Sequence, residues 1–177
     1  MTNLINLITI IRIMLAPVIL FFLMTGNYLM CTLLFFIAGL TDYLDGYLAR
    51  KYNAESQLGE ILDPIADKIL IVFILFGLSV TLDSYLIAFL SSLIVAREIG
   101  VAALRDYTSR NNISDRTKVT LLAKTKTAIQ LLTIGSYLLA MTLSFNLLIV
   151  VSDILLVIAT LITLYTGYQY ASKVLQK

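Results

Sequence analysis

The 177-residue chain is 59% hydrophobic and only 14% charged, with a mean hydropathy of +0.92. A water-soluble domain carries about a quarter charged residues, so the composition excludes one and points to an all-α integral membrane protein. The net charge is +2, and with no His and a single Cys the chain can build neither an imidazole-ligated metal centre nor an intrachain disulfide.

A membrane-spanning helix needs roughly 20 mostly apolar residues, and six stretches are candidates. The first, Leu4–Met24, has no basic segment ahead of it, holds Arg12 midway and shows no small-residue cleavage pattern. It reads as a retained helix rather than a signal peptide. Its polar residues Asn6, Thr9 and Arg12 are expected to face the bundle, serving either a donor headgroup or helix packing. The break TGN (25–27) leads to Tyr28–Lys51, where Cys31 reads as a small apolar helix residue. YNAESQLG (52–59) leads to Glu60–Val80, and TLD (81–83) to Ser84–Tyr107. On that fourth span Ala96 and Gly100 form a small-xxx-small pair suited to a dimer contact. Arg97 and Glu98 are neighbours that do not face each other, so each is expected to pair with another helix. TSRNNISDRTK (108–118) precedes Val119–Met141, and TLSF (142–145) precedes Asn146–Ala171. No break is long enough for a second domain, so one transmembrane domain over 1–177 is expected. Tyr28, Tyr52, Tyr85 and Tyr170 fall near predicted helix ends and read as an interfacial belt.

The basic residues orient the chain. Arg50, Lys51 and Lys68 flank the 52–59 connection. Arg105, Arg110, Arg116, Lys118, Lys124 and Lys126 lie in or near the 108–118 connection, and Lys173 and Lys177 end the tail. The other three breaks hold no Lys or Arg. Six spans with both termini and both basic connections in the cytoplasm satisfy this pattern.

Acidic residues concentrate between 41 and 68. With each helical residue advancing about 100°, Asp45, Gly46 and Ala49 fall at about −60°, +40° and −20° from Asp42, on one face. Gly59, Asp63 and Asp67 repeat at intervals of four and share a face of the next helix. The two helices are joined by a short turn and must be antiparallel, so the acidic faces are expected to meet in one pocket near the cytoplasmic edge. An aspartate inside a membrane costs roughly 2.5–3.5 kcal/mol, and mutual repulsion adds to that. Divalent cations would neutralise such a cluster, and oxygen-only ligands suit Mg²⁺, Mn²⁺ or Ca²⁺. Four carboxylates suffice for two metals, the arrangement suited to in-line displacement at phosphorus. Gly46, Ala49 and Gly59 leave open volume beside the acids, and Arg50 adds a cation at the rim.

The spacing D-x2-D-G-x2-A-R-x8-G-x3-D-x3-D resembles the signature of the CDP-alcohol phosphotransferases, with every defining position filled. That family implies a six-helix membrane fold, commonly homodimeric. Its enzymes transfer a substituted phosphate from a CDP-linked donor to an alcohol and release CMP. The resemblance implies two divalent cations, Mg²⁺ or Mn²⁺, held by Asp42, Asp45, Asp63 and Asp67, with Asp67 also the base that takes the acceptor's proton. Gly46, Ala49, Arg50 and Gly59 would form the cytidine-diphosphate pocket.

Three further segments, NLITIIR (6–12), AREIGVAALR (96–105) and AKTKTAIQ (123–130), resemble elements of the phosphatidylglycerophosphate synthases within that family. This implies CDP-diacylglycerol as donor, glycerol 3-phosphate as acceptor, and the bacterial cytoplasmic membrane as location, with the site facing the cytoplasm. Ile5, Ala123 and Thr166 stand where those enzymes have Pro, Gly and Ser, and none of these changes removes a charge. Arg105, Lys124 and Lys126 lie near cytoplasmic helix ends and suit the acceptor's phosphate, although basic residues there also satisfy topology and anionic lipid. No nucleic-acid partner is expected. Competing readings are another acceptor (serine, inositol phosphate or a phospholipid), a cation transporter lined by intramembrane acids, and a structural membrane subunit.

Overall fold

The computed structural model describes the backbone of residues 2–52, 57–110 and 121–175, and the side chains of 7–42, 44, 59, 62–110 and 126–174. The described residues form six α-helices: α1 (Thr2–Met24), α2 (Tyr28–Tyr52), α3 (Gln57–Thr81), α4 (Tyr85–Arg110), α5 (Leu121–Leu143) and α6 (Asn146–Leu175). No strand occurs among them. Among the described residues four helices carry runs long and apolar enough to cross a membrane: Leu7–Met24, Leu62–Thr81, Tyr85–Arg110 and Asn146–Val174. Within the described residues of α2 an apolar run covers Tyr28–Asp42.

Three helix pairs, α1–α2, α3–α4 and α5–α6, are closed by the same kind of tight turn. In each, two amides reach back to carbonyls of the helix just ended: Gly26 to Leu23 and Asn27 to Phe22, Asp83 to Val80 and Ser84 to Ser79, Ser144 to Met141 and Phe145 to Ala140. This is the Schellman pattern, which needs one residue in the left-handed region. Gly26 (φ +80°), Asp83 (+46°) and Ser144 (+54°) fill that position. Asn27 and Ser84 then cap the next helices, accepting the amides of Met30 and Ile87. All three turns lie at one end of the bundle, so the acidic motif and the basic helix ends lie at the other.

The helices form a ring in the order α1, α2, α5, α6, α4, α3, with α5 also touching α3. Among the described residues α2 and α3 do not pack on each other, and α1 stands between them. A short connection makes two helices antiparallel but leaves room for a third to enter. α1 and α3 approach closely because Gly77 faces Leu20 and Leu23, where a Cβ would lie 2.7 and 2.6 Å from their methyl carbons.

The core toward the tight-turn end is apolar, built from Ile19, Leu23, Leu78, Ile87, Ile134, Leu138 and Leu156. Polar side chains join helices inside it. Thr32 meets Thr142 at 2.9 Å, Gln130 donates to Thr163 at 3.0 Å, and Tyr137 donates to Asp153 at 2.5 Å. The outer surface carries Phe21, Phe36, Phe76, Phe89, Leu147 and Leu161, all exposed, as a hydrocarbon solvent requires. Cys31 is buried in the core. Ala96 and Gly100 face outward on α4.

Candidate functional site

Three of the four motif aspartates are described, and α1 addresses all three. Arg12 is 1% exposed. Its Nη1 stands 2.5 Å from Asp42 Oδ1 on α2 and 3.4 Å from Asp67 Oδ1 on α3. One turn earlier, Thr9 Oγ1 donates to Asp63 Oδ1 at 2.8 Å. A guanidinium inside a bundle is tolerated only when its charge is matched, and carboxylates from two helices match this one. The side chains of Asp42 and Asp67 stay 44% and 40% exposed, so oxygen lone pairs face open space.

The expectation that four carboxylates point into one pocket includes Asp45, whose side chain lies outside the described residues. Among the described residues no three acids form a closed ligand set. Asp42 and Asp67 meet across Arg12, while Asp63 is held by Thr9. Gly59 is buried. The side chains of Asp45, Gly46, Ala49, Arg50 and Lys124 lie outside the described residues. The donor set present is all oxygen, and Asp42 and Asp67 already share a cation, which fits hard divalent ions. Asp42, Asp63 and Asp67, with Asp45, are the residues that would hold them.

Asp67 also forms part of a second feature, a cavity of about 290 Å³ walled by α3, α4, α5 and α6. Lys68, Arg97, Arg105, Lys126 and Lys173 line it, against the carboxylates Asp67 and Glu98. Positive charge thus outweighs negative, and Asp67 marks the edge shared with the acidic cluster. Pro64, between Asp63 and Asp67 in sequence, lines the same wall. Among the described residues Lys68, Arg105 and Lys173 make no ion pair, which leaves their charge for a ligand.

The remaining charges are tied to each other. Arg97 Nη1 donates to Glu98 Oε1 at 3.0 Å and Nη2 to Thr166 Oγ1 at 2.9 Å. Lys126 Nζ donates to the same Glu98 oxygen. The expectation that Arg97 and Glu98 do not meet is corrected. Their Cβ atoms diverge by about 100°, but the long arginine side chain reaches round the helix to its neighbour. Each also reaches a second helix, as expected. Thr166 supplies the hydroxyl that a Ser would.

Sequence reasoning placed Arg105 and Lys126 near a phosphate site, and both line the cavity. It assigned Lys68 to orientation or to an ion-pair network with the motif acids, Lys173 to orientation, and Tyr170 to an interfacial belt. All three also line the cavity, and the Tyr170 hydroxyl is buried without a partner among the described residues. The available signal was spacing: Thr166, Gln169, Tyr170 and Lys173 recur at intervals of three and four, one face of α6. Thr9 and Arg12 were read as bundle-facing, but their acidic partners were not identified.

Comparison with known proteins bears on this arrangement. The family model described as CDP-alcohol phosphatidyltransferase matches residues 2–169. Proteins named CDP-diacylglycerol–glycerol-3-phosphate 3-phosphatidyltransferase are similar over most of the chain. The one from Haemophilus influenzae is 36% identical over 166 residues, covering 92% of this chain and 88% of its own. That from Rickettsia typhi is 38% identical over 174 residues, 96% of each chain. That from Rickettsia felis is 39% identical over 172 residues, 95% of this chain and 93% of its own.

Proposed function

The chain belongs to the CDP-alcohol phosphatidyltransferase family, and from that premise we propose that it transfers the phosphatidyl group of CDP-diacylglycerol to glycerol 3-phosphate. The products are phosphatidylglycerophosphate and CMP. The observation that carries this reading is the basic cavity that shares Asp67 with the acidic cluster. A small phosphorylated alcohol needs both features at once, cations for its phosphate and a base for its hydroxyl.

Asp42, Asp45, Asp63 and Asp67 would hold two divalent cations, Mg²⁺ or Mn²⁺. When bound, these ions neutralise the donor's diphosphate and the departing CMP. Gly46, Ala49 and Gly59 leave room for the cytidine diphosphate, and Arg50 pairs with it. Arg105, Lys124 and Lys126 bind the acceptor phosphate, with Lys68 and Lys173 adding positive potential. The acceptor's hydroxyl then points toward Asp67. Asp67 takes its proton, the oxygen bonds to the phosphatidyl phosphorus, and the bond to CMP breaks.

The six helices span the membrane, with both termini and the site on the cytoplasmic side of a bacterial cytoplasmic membrane, in a homodimer. A transport path is disfavoured because the acids gather at the end away from the tight turns, and the last three helices carry only Glu98, Asp106 and Asp153 as possible partners. An acceptor panel tests the proposal: purified protein, CDP-diacylglycerol and one alcohol at a time, scored by CMP release. Glycerol 3-phosphate is expected to be the best acceptor. Faster release with serine or inositol phosphate would replace it, and cation flux without CMP release would end the enzymatic reading.

A further inference from the structure

Glu98 is an anion in a cavity otherwise suited to receive one. Placed there alone it would repel a phosphate. Its contacts give it a different task. Oε1 accepts hydrogen bonds from Arg97 on its own helix and from Lys126 on α5. Arg97 is itself fixed from α6, through Thr166 Oγ1 at 2.9 Å. Its stem lies over Gly167, where a Cβ would come within 2.8 Å of Arg97 Cγ and Nε. Glu98 therefore ties α4 to α5 directly and to α6 through Arg97. Lys126 is a flexible side chain with three ammonium donors, of which Glu98 takes one and leaves two.

We propose that Glu98 is a positioning residue for the acceptor. It holds the Lys126 ammonium at the cavity wall, and Arg97, seated on Gly167, holds Glu98. The inference rests on the reading of the cavity as the acceptor-phosphate site. Glu98 touches no reacting atom. Its effect is to order the lysine before the phosphate arrives, so that binding need not do so.

The test is steady-state CMP release by full-length protein in detergent, for wild type, Glu98→Gln, Lys126→Met, the double variant and Gly167→Ala. Glu98→Gln should raise the KM for glycerol 3-phosphate about tenfold, the scale of one charge-assisted hydrogen bond, with kcat and the donor KM little changed. The double variant should be no worse than Lys126→Met, because Glu98 acts through Lys126. Gly167→Ala does not line the cavity and should show the same split in milder form by displacing Arg97. If Glu98→Gln fails to fold, Gly167→Ala decides the matter alone.

An unchanged or lowered acceptor KM in Glu98→Gln would overturn the role, as would equal rises for both substrates. So would losses that multiply in the double variant, or no split in Gly167→Ala. Each of these leaves the acceptor reading standing. Wild-type protein that releases CMP only with an alcohol lacking phosphate would remove that reading, and the positioning role with it.

Discussion

Arg12 Nη1 and Asp42 Oδ1 lie 2.5 Å apart, joining the first helix to the start of the acidic motif thirty residues later. The same nitrogen stands 3.4 Å from Asp67 Oδ1. One buried cation thus links two helices that do not pack on each other among the described residues.

Replacing Arg12 by Gln should destabilise the metal-free protein. Breaking a buried ion pair costs about 3–5 kcal/mol, and the exposure of both carboxylates puts this case at the low end. Thermal unfolding in detergent reads the change. Added Mg²⁺ should restore part of the loss, since a second cation can take over the charge. An unchanged melting temperature would show that the contact contributes little.

Asp67→Asn keeps the shape of the side chain and removes its ability to take a proton. Turnover should fall by about 10²–10⁴-fold, the usual contribution of a general base, with more lost if a metal ligand is lost as well. Membrane insertion should stay close to wild type, and any loss of melting temperature should be smaller than for Arg12→Gln, because Asp42 still pairs with Arg12. A variant retaining near-normal rates would move the base elsewhere.

Chelation should abolish CMP release, and Mg²⁺ or Mn²⁺ should restore it. The all-oxygen donor set favours hard ions. Full activity after exhaustive removal of divalent ions would contradict the role given to Asp42, Asp45, Asp63 and Asp67.

Arg105→Ala should raise the KM for glycerol 3-phosphate by about tenfold or more, the loss of one charge-assisted contact, and leave the donor KM near its original value. Arg105 is exposed at the cavity wall, so its removal should cost little stability. A rise confined to the donor KM would place Arg105 on the nucleotide side.

The helices were legible because each is an apolar run near the bilayer's thickness, bounded by turn-forming residues. TGN, TLD and TLSF each mark a turn whose geometry the structure supplies. The motif aspartates were legible because acids are expensive in lipid and stand out. The insertion of α1 between α2 and α3 was not, since sequence adjacency says nothing about which third helix enters a pair. That single fact hid the partners of Thr9 and Arg12. Arg97 and Glu98 were misjudged because helical angles fix Cβ directions, not the reach of a long guanidinium. Tyr170 near a helix end satisfies the pattern of an interfacial residue, and only the packing of α6 against the cavity separates the two readings.

The position of Arg12 on the first helix has a consequence for biosynthesis. A ribosome delivers α1 to the membrane before α2 and α3 exist. The cation that Asp42 and Asp67 require is therefore already made when each acid emerges, and the nascent chain carries its own counter-charge ahead of the residues that need it.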